Sequence, residues 1–363
     1  MRVLVAPQEF KGSLTAEEAA DAIAAGIVDA QPGWAIDRLP MSDGGPGFID
    51  AMRRAVRGDT HGDVVHDALG RRVLGRYVTL RGRATAVVEA AQANGLAHVG
   101  PEERDALRAD TFGVGELILL AMEHRPATLL VGVGGSATTD GGAGMARALG
   151  ARLLDAAGDD LEPGGGALTR LDRIEWKRPG AITGVDVVVA TDVTNPLTGA
   201  NGAAFVFGPQ KGATPEQCAT LDAALAHFAA VVRRDLGVDV EHLPGGGAAG
   251  GLAAGLVAFL GARVESGFDV VSAATNLPAR LAAADQVVTG EGSFDGQSRQ
   301  GKVTGRVLEL AAEMGKPCMV FAGRAPGGGA RTLDEVEDDP GRRMNEAARA
   351  LRELARRWAA GQV

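Results

Sequence analysis

Cysteine is nearly absent from this chain of 363 residues: only Cys218 and Cys318 occur, far apart and without the spacing of zinc ligands. A reduced, cytoplasmic compartment with no disulfide framework is the economical expectation. Long apolar runs are missing too. The longest candidate, Leu252–Ala262, is broken by Gly255 and Gly261 and falls well short of the roughly 20 residues that span a bilayer. Pro7 and Glu9 come too early for a secretory signal peptide. A surplus of positive charge is also lacking, since the net charge is −9, which argues against nucleic acid as the main partner. His61, His66, His98, His124, His227 and His242 show no zinc-binding spacing and read as solvated or packed side chains. Ser136 stands outside any Gly-x-Ser-x-Gly elbow, so nucleophilic hydrolysis has little support.

Lysine is the scarce cation. Among 37 basic residues only Lys11, Lys177, Lys211, Lys302 and Lys316 are lysines, and Lys11, Lys211 and Lys302 each touch a glycine in a turn-like segment. Arginine serves the generic surface here, so lysine at a glycine junction suggests a compact point charge for a phosphate or carboxylate. The alternative for each is an exposed loop lysine.

Glycine, by contrast, is abundant at 53 residues, about twice its usual share of roughly 7%. Much of it gathers where short apolar runs end. Ile36–Pro40 breaks into Asp43-Gly44-Gly45, Leu129–Val133 into Gly134-Gly135-Ser136, Val187–Ala190 into Thr191-Asp192, and Gln286–Thr289 into Gly290-Glu291-Gly292. Loops leaving the carboxyl ends of strands in an open α/β sheet line one crevice, so these endings predict one polar, glycine-walled pocket. Asp43, Asp192, Glu291 and Asp295 would stand at its rim. Such carboxylates hold Mg²⁺ together with waters and phosphate oxygens, and one of them can accept a hydroxyl proton. Each could instead merely cap a turn, but one site explains four such positions more economically.

Two familiar phosphate signatures fit poorly. The segment 296–302 resembles the first part of a P-loop, yet Val303 occupies the hydroxyl position, and Lys302 survives only as a phosphate ligand opening a helix. Gly132, Gly134 and Ala137, with Asp155 downstream, imitate a dinucleotide fingerprint weakly. The Thr138-Thr139-Asp140 that follows suits phosphates and a metal better.

The periodicity predicts an α/β protein. Val3–Ala6, a helix opened by a Thr15/Glu18 capping box, and Ile36–Leu39 begin a parallel sheet. Gln286–Thr289, a helix over Thr304–Ala312, and Cys318–Phe321 resume it. Between them, Val64–Leu80 and Thr85–Glu89 alternate like antiparallel strands, and Thr214-Pro215-Glu216-Gln217 opens a helix with Leu221, Leu225 and Phe228 inward. The expected architecture is therefore two intertwined domains. Residues 1–62 and 284–363 form a discontinuous Rossmann- or flavodoxin-like parallel domain, and residues 63–283 form an inserted α/β domain with a mixed sheet. After Gly327-Gly328-Gly329 comes an amphipathic helix carrying Leu351, Leu354, Ala355 and Trp358 on one face.

Seven ordered segments carry a resemblance: 10–14, 40–45, 132–145, 192–197, 207–213, 247–252 and 289–298. Over Val3–Gly323 the chain resembles the bacterial type-I glycerate kinase family. The resemblance implies a cleft between two domains where ATP, Mg²⁺ and D-glycerate meet, and 2-phosphoglycerate as the product. On the matching positions, Asp192 is the expected base or hydroxyl-orienting group, and Lys11 and Asn195 are the other expected catalytic residues. Ser42, Asp43, Gly134, Gly135, Ser136, Thr138, Asp140, Lys211, Gly290, Asp295 and Lys302 would contact substrate or phosphate, and Asp43 and Glu291 the metal. A homodimer is compatible with all of this. The chain departs from the family pattern at Gln8, where aspartate is usual, and at Ser293, where arginine is frequent. A kinase of a related hydroxy acid, a catalytically silent glycerate or nucleotide sensor, and a nicotinamide-dependent reductase are the competing readings.

Overall fold

The computed structural model describes residues 1–82, 84–296, 298 and 302–361. Its strands are β1 (Arg2–Val5), β2 (Ala35–Arg38), β3 (Gly58–His66), β4 (Arg72–Leu80), β5 (Thr85–Glu89), β6 (Thr128–Gly132), β7 (Arg152–Leu154), β8 (Arg173–Glu175), β9 (Asp186–Ala190), β10 (Arg263–Glu265), β11 (Gln286–Ser293), β12 (Cys318–Arg324) and β13 (Arg331–Thr332). Two compact units form. The first comprises Met1–Asp43, Asp50–Ala55 and Phe268–Val363, and the second Gly44–Ile49 and Val56–Gly267. Residues 268–283 go with the first unit because the helix Leu277–Ala283 packs on β1 and on the helix Val303–Glu313.

The first unit holds a five-stranded sheet in the order β13-β12-β11-β1-β2, with every neighbouring pair parallel. Val3, Leu4, Val5, Val287 and Val288 are fully buried, as continuous apolar strands covered on both faces must be. The helix Ala16–Ala30 starts at the capping box, where the Glu18 N–H donates to Thr15 Oγ1 and the Thr15 N–H to Glu18 Oε2. It lies against the terminal helix Ala347–Ala359 so closely that a Cβ at Gly26 would stand 2.1 Å from the Arg352 carbonyl oxygen. Leu351, Leu354 and Ala355 are buried there, and Trp358 meets Phe321 and Trp34 edge-on.

The run expected to break at Thr289 continues as strand to Ser293, because Glu291 and Ser293 pair with Ala322 and Arg324 of β12. Ladder pairing overrides the weak strand preference of Gly290 and Gly292.

The second unit holds a six-stranded mixed sheet, β10-β9-β6-β5-β4-β3, parallel from β10 to β5 and antiparallel beyond. The alternating segment 64–80 resolves into the end of β3, a turn, and β4. The helix Pro215–Leu236 begins at the Thr214/Gln217 capping box and buries Leu221, Leu225 and Phe228. Among the described residues no helix is long and apolar enough to cross a membrane.

Candidate active site

In the first unit the loop after β1 runs beside the end of β11. The Gln8 N–H donates to the Gly290 carbonyl at 2.9 Å, and a Cβ at Gly292 would come within 2.9 Å of the Lys11 nitrogen. This close backbone approach brings Lys11, which is exposed, to the strand that carries Glu291. The Met41 N–H donates to the Pro7 carbonyl at 2.9 Å, which draws in the segment after β2. Ser42 is buried there and Asp43 half-buried. Gln8 Nε2 donates to Asp43 Oδ2 at 2.9 Å. Burial pushes the Glu9 carboxyl above the ordinary glutamate range, the Asp43 charge adds to that, and Lys11 opposes it.

Glu291 is buried, and its Oε1 has no hydrogen-bond partner among the described residues. Burial raises its pKa; the Thr304 and Ser298 hydroxyls and the Lys302 ammonium pull it back, the Thr304 hydroxyl without reaching bonding geometry. Lys302 is the N-cap residue of the helix Val303–Glu313, so its ammonium and the helix's free N–H groups mark one end. Asp295 closes a tight turn, its Oδ1 accepting the Ser298 N–H at 3.2 Å. The P-loop-like segment 296–302 lies in large part outside the described residues. Arg324 Nε donates to Ser293 Oγ at 3.0 Å, which sets a guanidinium beside the position where the family pattern has its own cation.

In the second unit the segment Gly44–Ile49 interlocks through glycine with the chain at the ends of β6 and β9. Gly44 has φ +90°, and a Cβ on it would strike the Ala190 carbonyl oxygen at 2.2 Å. The Gly134 N–H donates to the Gly44 carbonyl at 3.0 Å. The loop after β6 therefore has an exposed tip at Gly135, followed by Ser136, whose buried Oγ has no partner among the described residues.

Thr138, Asp140 and Lys211 stand behind this loop, away from solvent. The Asp140 carboxylate is fully buried and accepts the Thr111 N–H (3.0 Å), the Thr111 hydroxyl (2.8 Å), the Gly142 N–H (3.1 Å) and the Gly144 N–H (2.9 Å). Thr138 Oγ1 accepts from Asn94 Nδ2, and Lys211 Nζ donates to the Thr138 carbonyl at 2.5 Å. Burial pulls the Lys211 ammonium down to about 7, with Asp140 opposing. These groups fix the loop's shape; the sequence pattern had grouped them with its ligand-facing residues.

Asp192 follows β9 and accepts the Ser266 hydroxyl at 2.7 Å on Oδ1. Asn195 Nδ2 donates to the Asn201 carbonyl, and the Gly247 N–H to the Asn195 carbonyl, so Asn195 shapes the turn beyond Asp192. Two residues escaped the sequence reading. Glu89, buried at the end of β5, accepts the Ile49 N–H and Gln92 Nε2; the pattern of apolar run ending in carboxylate could have found it. Asn94 had no such signal.

A cavity of about 700 Å³ in the second unit is lined by His66, Leu69, Arg108, Asp110, Phe112 and Arg147 among others, and holds none of the expected site residues. Among the described residues no cluster of three or more His, Cys, Asp or Glu could hold a metal ion. Mg²⁺ asks for less, one or two carboxylates completed by phosphate and water. The unpartnered Glu291 oxygen fits that donor set.

The glycerate kinase family model matches residues 3–357. The chain belongs to the glycerate kinase family. This glycerate kinase family member is 43% identical over 330 residues to glycerate 2-kinase of Escherichia coli K12, covering 89% of this chain and 85% of that one. It is 42% identical over 322 residues to glycerate kinase of Halalkalibacterium halodurans, covering 88% and 85%. The crystal structure of a protein ascribed to glycerate kinase 2 in Salmonella typhimurium LT2 superposes with a TM-score of 0.82 at 42% identity, covering 99% of this chain and 98% of that one. The chain is thus a kinase by family, and the family implies use of ATP.

Proposed function

We propose that this kinase transfers the terminal phosphoryl group of ATP to D-glycerate in the cytoplasm, giving 2-phosphoglycerate and ADP. The observation that best supports the reading is Glu291, a buried carboxylate with one oxygen unpartnered, on the strand beside the Lys11 loop and near the Lys302 helix entry. Phosphoryl transfer needs this set: cations about the phosphates, a carboxylate for the metal, and a carboxylate at the attacking hydroxyl.

Glu291 and Asp43 would hold Mg²⁺, which when bound neutralises charge on the phosphate oxygens. Lys11 and Lys302 pair with anionic groups of the two substrates, while Gly290 and Gly292 let backbone approach without side chains between. Ser42 and Asp295 complete the phosphate or substrate contacts of the first unit. In the second unit the backbone of Gly134, Gly135 and Ser136 approaches phosphate, with Thr138, Asp140 and Lys211 holding that loop from behind. Asp192, oriented by the Ser266 hydroxyl, takes the proton from the substrate hydroxyl as it attacks, and Asn195 keeps the chain turned beneath it.

ADP release measured with ATP, Mg²⁺ and D-glycerate, beside lactate, tartronate and glycolate, tests the reading. Turnover selective for D-glycerate supports it, and turnover selective for another acid reassigns the substrate. Binding of ATP and glycerate by calorimetry with no ADP formed would favour a silent sensor.

A further inference from the structure

Strand β3 forms one edge of the six-stranded sheet. Its ladder with β4 has a fixed parity. The Asp67 N–H donates to the Arg71 carbonyl and the Arg81 N–H to the Arg57 carbonyl, so odd-numbered residues bond inward and Gly58, Thr60, Gly62, Val64 and His66 present their backbone groups outward. Two outward N–H groups are engaged by side chains, Val64 by Asp63 Oδ1 at 2.7 Å and His66 by Glu116 Oε2 at 2.8 Å. Among the described residues the Thr60 and Gly62 N–H groups have no partner.

The nine-residue strand is complementary to itself. Laid antiparallel on a second copy with Gly62 on the two-fold axis, it overlaps along its whole length, 58 opposite 66, and every outward residue meets an outward residue. Gly62 faces the partner's Gly62, and Thr60 faces the partner's Val64. Asp63 lies opposite the partner's His61 at a non-hydrogen-bonded position, where side chains come closest. Asp63 then exchanges its own chain's Val64 N–H for the partner's imidazole.

Apolar exposure gathers at the same edge. Val64 and Leu74 are cross-strand neighbours, exposed to 48% and 66%. Leu119, exposed to 38%, lies one helical turn from Glu116, whose carboxylate already reaches the outer side of β3. Gly62 itself is unexplained within one chain. A Cβ there would meet Leu74 at 3.5 Å and Gly75 at 3.6 Å, ordinary contacts, although glycine weakens a strand. Close approach of a second backbone gives it a reason.

We propose that β3 is a homodimer interface, pairing antiparallel with β3 of a second copy about Gly62 and joining the two mixed sheets into one. Gly62→Cys tests the register. Paired Cα atoms about 5.5 Å apart are within disulfide reach, and native Cys218 is buried. The wild-type protein should sediment as a dimer, and the oxidised variant should become a reducible covalent dimer, while Phe205→Cys, exposed elsewhere on the same unit, should not. Thr60→Pro removes an outward N–H without touching the ladder to β4 and should weaken dimerisation at least tenfold with an unchanged circular-dichroism spectrum. If that variant fails to fold, Val64→Glu provides the same disruption from the side chain. A monomer at about 100 μM, or a dimer that Gly62→Cys does not cross-link, overturns the proposal, whatever the kinase assay shows.

Discussion

Replacing Lys211 by Met should change stability with opposite sign at low and high pH. The Lys211 ammonium is buried, and its pKa falls from 10.5 to about 7 in the folded chain. Because the folded pKa is depressed, the unfolded chain binds more protons between those values, so wild-type stability rises with pH from about 7 to 10.5 and is lost as pH falls back. At about 1.4 kcal/mol per pKa unit, the difference amounts to roughly 5 kcal/mol against the folded state below pH 7. Lys211→Met removes that penalty but strands the Thr138 carbonyl, which Nζ now satisfies. An unsatisfied buried group costs about 1–3 kcal/mol. The variant should therefore be more stable than wild type by about 3 kcal/mol at pH 6 and less stable by about 1–2 kcal/mol at pH 10, the curves crossing near pH 9. Urea denaturation followed by circular dichroism at four pH values across this range measures it. Parallel curves, with the variant equally weaker at every pH, would refute the view that a proton is expelled from Lys211 on folding.

Asp192→Asn should lower turnover by roughly 10²–10⁴-fold with the fold intact, as expected for a positioned proton acceptor; near-normal kcat would move that role to Asp43. Gln8→Asp adds a carboxylate beside Asp43 and Glu9, so the Mg²⁺ concentration for half-maximal rate should fall and glycerate binding should weaken. Unchanged metal and substrate titrations would place position 8 outside the reacting groups. Burial and the neighbouring Asp140 push the Asp110 carboxyl from 3.8 up to about 6, so its stabilising effect is full below about pH 4 and is lost as pH rises through 6. Asp110→Asn should flatten the denaturation midpoint over that window, and an unaltered slope would contradict the shift.

Local rules made much of the fold legible. The capping boxes at Thr15 and Thr214 announce their helices because side chain and N–H lie three residues apart. The glycines at 44, 134 and 292 signalled backbone approach, and each is where a Cβ would collide with another segment. What stayed hidden depends on partners distant in sequence. The extension of β11 through Gly290–Ser293 comes from pairing with β12, some thirty residues on. Asp140 sits in a glycine- and threonine-rich loop like a ligand-facing carboxylate, yet Thr111, from another segment, turns it inward. A loop's sequence shows its composition but not which side faces solvent. The Lys211 ammonium, likewise, is buried by the loop it supports, whereas its glycine neighbour suggested a point charge for a phosphate or carboxylate ligand.

The most direct test of the account is to incubate the purified protein with ATP, Mg²⁺ and D-glycerate and to add enolase, which dehydrates 2-phosphoglycerate but not its 3-phosphate isomer. The proposed reaction predicts phosphoenolpyruvate in step with ADP, lost in Asp192→Asn. ADP without phosphoenolpyruvate would contradict phosphorylation at the 2-hydroxyl, and no ADP with D-glycerate would contradict glycerate phosphorylation itself.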